Sequence, residues 1–149
     1  MIFLRLIAVF TIACEFVIAQ ARVEYVGGTA TNLLSGKAGA VDIRDQQYFA
    51  FYSNKTQMRV LYRNINLIEY GQKVDRRLMM AVVISPMFLL AKSRKHFLTV
   101  GYSDDEGKQQ ALVFRVSKGA IRATLVGLEA RTGLKIQYQD EEARKAGRG

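Results

Sequence analysis

Apolar and polar positions alternate with a period of two through much of the stretch from residue 23 to residue 116, and polar or glycine-rich turns interrupt the alternation about every ten residues. The segments this predicts are strands at 23–26, 37–43, 47–52, 58–62 and 65–70. In 47–52 the alternation puts Phe49 and Phe51 on one face and Tyr48, Ala50 and Tyr52 on the other. In 58–62, Met58, Val60 and Tyr62 alternate with Arg59 and Leu61. Turns so closely and evenly spaced predict an antiparallel sandwich or barrel.

The clearest hairpin lies at 95–102 and 110–116. It places His96, Leu98, Val100 and Tyr102 on one face, matched by Leu112, Phe114 and Val116 on the second arm. Ser103-Asp104-Asp105-Glu106-Gly107-Lys108 joins the arms. Three adjacent acids suggest a cation, but a calcium loop needs ligands at alternating positions and a distal Glu. The cluster is read as a solvated turn. After residue 116 the period changes: Ser117 is a candidate N-cap, Ile121, Leu125 and Leu128 form a stripe at helical spacing, and Gly133 is a candidate C-cap. Residues 134–138 can form a short extended segment, and 139–149, with no apolar stripe, is read as a flexible tail.

Residues 78–91, LMMAVVISPMFLLA, fit neither period: twelve of the fourteen are apolar and none is charged. The run is long for a strand. As a helix it would extend about 21 Å, short of the roughly 30 Å hydrocarbon core, and Pro86 would divide it. Lys73, Arg76, Arg77, Lys92, Arg94 and Lys95 flank it, with Asp75 the one acid between residues 72 and 96. An uncharged apolar run with cations at both ends suits an anionic membrane surface, where each cation contributes about 1 kcal/mol. In that reading Arg76, Arg77, Lys92, Arg94 and Lys95 meet lipid phosphates, while Met79, Met80, Met87, Phe88, Leu89 and Leu90 insert. Packing on the protein's own sheet and self-association into a homodimer, or docking on a partner protein, are the alternatives.

Residues 1–21 read as a signal peptide. Arg5 supplies a positive start, an apolar stretch follows, and Ala19-Gln20-Ala21 offers the small-x-small pattern that predicts cleavage before Arg22. Glu15 interrupts the apolar stretch and argues against a permanent span. An uncleaved anchor is the alternative, and a lipid-modified Cys14 would want a Leu where Thr11 stands. The expected organisation is therefore 1–21 signal, 22–138 one domain with the insertion at 72–96, and 139–149 tail, in an exported protein, periplasmic or secreted.

Composition narrows the chemistry. Among 149 residues there are one cysteine, one histidine and no tryptophan, which excludes disulfide frameworks, cysteine-ligated zinc, His-based triads and multi-His metal sites. The formal charge is +9. Gly36-Lys37 and Gly27-Gly28 lack the remaining residues of phosphate and dinucleotide loops. Glu69 beside Tyr70, and the acids 104–106, are the only carboxylates worth weighing for catalysis, and neither has an evident partner. No enzyme, no cofactor and no metal is expected. Nucleic-acid binding fits the charge but not an export signal. His96, set among cations that disfavour its charged form, is read as a strand residue.

VLYRNINLIEYG (60–71) and the hairpin RKHFLTVGYSDDEGKQQALVFRV (94–116), which feeds directly into the helix, resemble a pleckstrin-homology-like (PH-like) domain of the bacterial PH/GRAM type. The layout EYGQK…KHFLTVGY…EARTG…YQDEEARKAG is also similar to a set of uncharacterised exported bacterial proteins. The resemblance implies a mainly β fold with α: a bent antiparallel sandwich of about seven strands, capped by a C-terminal amphipathic helix. It brings no catalytic residues. Leu61 stands where that superfamily often has Pro, and the apolar insertion is additional. The bases of an early strand loop that bind phosphoinositides have only Lys37, Arg44 and Lys55 as scattered counterparts, so inositide binding is not implied. The expected function is a non-enzymatic binding module at an anionic membrane surface.

Overall fold

Period-two alternation becomes strand wherever one face can be buried, and the described part of the chain is mainly β. The computed structural model describes residues 20–54, 56–73, 83–84 and 95–148. The strands are β1 (Ala21–Gly28), β2 (Lys37–Asp42), β3 (Tyr48–Ser53), β4 (Thr56–Leu61), β5 (Ile65–Gly71), β6 (Val83–Ile84), β7 (His96–Ser103), β8 (Gln109–Val116) and β9 (Gln137–Tyr138). The helices among the described residues are α1 (Lys118–Thr132) and α2 (Glu141–Arg148). A 3-10 turn, Tyr62–Asn64, links β4 to β5. The strand order is β4-β3-β2-β1-β8-β7-β5-β9, with β6 off this path, paired to β1. All pairings are antiparallel except β5 with β9. Seven of the described strands run six to eight residues, and two, β6 and β9, have two residues each.

The hairpin has the predicted faces. Leu98 lies opposite Phe114 and Val100 opposite Leu112, and all four are buried in the main core. Its turn is built on Asp104, whose Oδ1 accepts from the backbone N–H of Glu106 at 3.0 Å and of Lys108 at 2.8 Å. The Gln110 amide at the other oxygen, and then these backbone hydrogen bonds, lower the Asp104 pKa.

Phe114 is the centre of the core. Its ring lies 5.1 Å from Phe51 and 5.8 Å from both Phe49 and Tyr25, centroid to centroid. Rings at these separations contribute about 0.5–1.5 kcal/mol per pair beyond their area. Tyr25 and Tyr62 bury hydroxyls with no partner among the described residues, and burial pushes both phenols up to about 12. Helix α1 closes the core with the predicted stripe, Ile121, Leu125 and Leu128, joined by Thr124. It ends at Gly133, whose φ of 73° is left-handed and whose N–H reaches the Glu129 carbonyl at 2.9 Å.

The segment expected to be a flexible tail is instead helical. Asp140 caps α2 by accepting from the Ala143 N–H at 2.6 Å; Glu141 and Glu142 open the helix and Lys145 and Arg148 close it, in the sense the helix dipole favours. The inward face carries small residues. Ala143 is fully buried, and Gly147 sits so near Tyr138 and Tyr70 that an added Cβ would lie 2.7 Å and 3.3 Å from their rings. The docking surface is made by size, not by an apolar stripe. Gly147→Leu should therefore lift α2 from the sheet and cost about 1–3 kcal/mol, read as a lower urea midpoint. An unchanged midpoint would show that α2 adds no stability.

The expected cleavage point falls at the edge of this structure. Ala21 opens β1, pairs with Val41 and is buried in the core, and Arg22 pairs with Ala40. Ala19 lies outside the described residues.

Candidate functional site

Strand alternation that buries Val23 and Tyr25 turns Arg22 and Glu24 outward on β1. In register with Glu24 on the neighbouring strand is Arg115, and the two form an ion pair. Lys95 enters β7 beside them, His96 opposes Val116, and Ser117-Lys118 starts α1 at the same end of the sheet. These groups line a depression of about 930 Å³, together with the small residues Ala38, Gly39 and Ala40 of β2 and the half-exposed ring of Tyr52.

Four cations therefore face this depression, Arg22, Lys95, Arg115 and Lys118, and among the described lining residues Glu24 is the one carboxylate. Glu24 is engaged by Arg115. Arg22, Lys95 and Lys118 make no ion pair among the described residues, so their field adds up over the depression. An open, solvated site of this kind attracts anions by summed charge. With a weak, exposed contact per cation, its binding should fall steeply with salt.

His96 marks the inner wall. Its Nδ1 lies 2.5 Å from the Tyr70 hydroxyl, and the two rings are nearly parallel, 12° apart in plane. Burial, and then the charge on Lys118, lower the His96 pKa, while burial raises that of Tyr70. The cation that acts is Lys118 of α1, not the expected sequence neighbour Lys95, and burial acts more strongly than it. Among the described residues no group of His, Cys, Asp or Glu is arranged to hold a metal ion. Glu69, weighed as a carboxylate for catalysis, accepts from the Gln139 amide at 2.8 Å and so ties β5 to the chain after β9.

Of the cations expected at an anionic surface, Lys95 falls within the described residues and lies in the depression. Arg76, Arg77, Lys92 and Arg94 lie outside the described residues, as do Met79, Met80, Met87, Phe88, Leu89 and Leu90. Arg22, expected only as a cleavage position, proves to be a lining cation. The sequence does not single out Arg115 and Lys118 as site residues, because they belong to a strand and a helix that come near Arg22 only through the β1–β8 pairing. The outward alternation of Arg115 is legible in the hairpin; its neighbours are not.

The lowered His96 pKa sets a stability slope. Above the ordinary imidazole pKa of about 6.5 the ring is neutral in both folded and unfolded chains. As pH falls below that, the unfolded chain takes up a proton that the folded site resists, so stability is lost toward acid. Urea midpoints should therefore fall between about pH 7.5 and about pH 5.5, and His96→Gln should flatten that part of the profile. An equal slope in the variant would assign the loss to other groups.

No known protein family matches this chain, and no curated protein is significantly similar to it.

Proposed function

We propose that the protein is a non-enzymatic, PH-like binding module that associates with an anionic membrane surface. The observation that carries this reading is the cationic depression: Arg22, Lys95, Arg115 and Lys118 converge on it against one already paired carboxylate. Lys95 is also the last cation of the basic-flanked insertion, and Lys92 and Arg94 stand just before it in the sequence. Polyanionic surfaces reward such clustering because each phosphate met by Lys or Arg contributes on the order of 1 kcal/mol.

The topology supports the PH-like reading. A four-strand meander, β1 to β4, and a three-strand meander, β5-β7-β8, meet along the β1–β8 pairing, and a helix closes one end. In this reading β6 belongs to the insertion. The non-enzymatic reading is supported by how the candidate carboxylates are used: Asp104 organises a turn and Glu69 bonds to Gln139. Export is a separate part of the proposal, resting on residues 1–21, and its test is the mass of the product recovered outside the cytoplasm.

The full chain should sediment with vesicles containing phosphatidylglycerol and stay in solution with purely zwitterionic ones. Changing Arg22, Lys95 and Lys118 together to Gln should weaken binding about 100-fold, from roughly 1 kcal/mol per cation. Raised salt should mimic the variant. Equal binding by variant and wild type would remove this depression from the contact.

A further inference from the structure

Residues 29–36 join β1 to β2, and backbone hydrogen bonds tie this loop to the sheet. The Thr29 N–H donates to the Ala111 carbonyl at 2.9 Å, and the Gly36 N–H to the Tyr25 carbonyl at 2.8 Å. Leu33 turns inward and is buried in the main core, whereas Leu34 is 68% exposed. Both leucines, with Ala30, form the apolar wall of a cavity of about 570 Å³ between the loop and the end of β1. The cavity shares no described lining residue with the cationic depression. None of its described lining residues is charged, in a chain of formal charge +9.

Hydroxyls supply the polar part of the wall, and they are not equivalent. That of Thr29 accepts from the Ala111 N–H at 3.0 Å, and that of Ser35 donates to the Val26 carbonyl. Thr31 is exposed to water. Tyr25 differs from all three. It is 1% exposed, its ring packs against Phe51 and Phe114, and its hydroxyl has no partner among the described residues. The hydroxyl reaches Gly28, another lining residue, so closely that an added Cβ there would lie 2.5 Å from the oxygen. A buried hydroxyl without a partner costs free energy that a phenylalanine in its place would not. Its pKa is pushed up to about 12, chiefly by burial, so the group keeps its proton and is a donor at neutral pH.

We propose that this cavity binds a small neutral molecule with an apolar body and a carbonyl oxygen, which accepts from the Tyr25 hydroxyl. The volume lies in the range of small-molecule sites, and so does the composition, an apolar wall with a few placed polar groups. An ionised ligand would find no countercharge on the described wall. The carbonyl lies innermost, against Tyr25, and the apolar body extends toward the exposed Leu34.

Prodan, a neutral naphthyl ketone whose emission shifts to the blue in apolar surroundings, is a direct probe. With the full chain it should show a saturable blue shift, reversed by ethyl hexanoate. Tyr25→Phe should weaken Prodan about five- to ten-fold, the worth of one hydrogen bond. The same variant should bind dimethylaminonaphthalene, which lacks the ketone, as the wild type does, and its urea midpoint should hold or rise. Leu34→Asp, at an exposed position, should weaken both probes. Absence of a saturable shift, or unchanged Prodan affinity in Leu34→Asp, would overturn the proposal. So would unchanged Prodan affinity in Tyr25→Phe, or a lowered midpoint, which would show the hydroxyl already paired with water. Dihexanoyl phosphatidylcholine, below its micellar concentration, carries the same ester on a lipid. Displacement by it as well as by ethyl hexanoate would support the site with a lipid acyl group as the source, and displacement by ethyl hexanoate alone would support a free small molecule. Displacement by neither would overturn the carbonyl chemistry. Arg22, Lys95 and Lys118 are untouched throughout, so vesicle binding tests the membrane reading separately.

Discussion

Phe114 holds the two halves of the sheet to one core. It stands on β8, in the three-strand half, yet its ring meets Phe49 and Phe51 of β3 and Tyr25 of β1. Among the described strands the halves pair along β1 and β8, and the two-residue β6 adds a short pairing to β1. A sheet joined along one seam can open or close about it, and the aromatic contacts across the interior set the closed angle. The α1 stripe, Ile121, Leu125 and Leu128, packs into the same closed interior.

The same seam decides where charge gathers. Because β1 and β8 are neighbours, Arg22 and Arg115 come to one surface, and because β8 runs directly into α1, Lys118 joins them. Burial on one side of each strand leaves the other side free to carry function. The Glu24–Arg115 pair neutralises part of the surface without emptying it of positive charge. The pair is partly buried, and its clearest effect is on the shape of the field.

The apolar insertion illustrates a competition between two solvents. A run of this kind gains free energy from any apolar surface it covers, at about 25 cal/mol per Å² removed from water. The bilayer and the protein's own sheet offer the same type of gain.

How much was legible follows from how local each signal is. Alternation and turns at short range determined most of the strands, the hairpin with its two faces, the α1 stripe and its Gly133 stop, since each depends on residues a few positions apart. The sequence by itself also determined the excess of positive charge and the poverty of nucleophiles and ligands. Helix α2 escaped because its contact face is made of Ala143 and Gly147, small residues whose value lies in the rings of Tyr70 and Tyr138 that they admit. Only the tertiary structure decided that Arg22, Lys95, Arg115 and Lys118 share a depression, and that Val26, Phe97 and Val113 form a second buried cluster. These are meetings between strands distant in sequence, and strand order is set by which faces can be buried together, a property of the assembled sheet that no local period encodes.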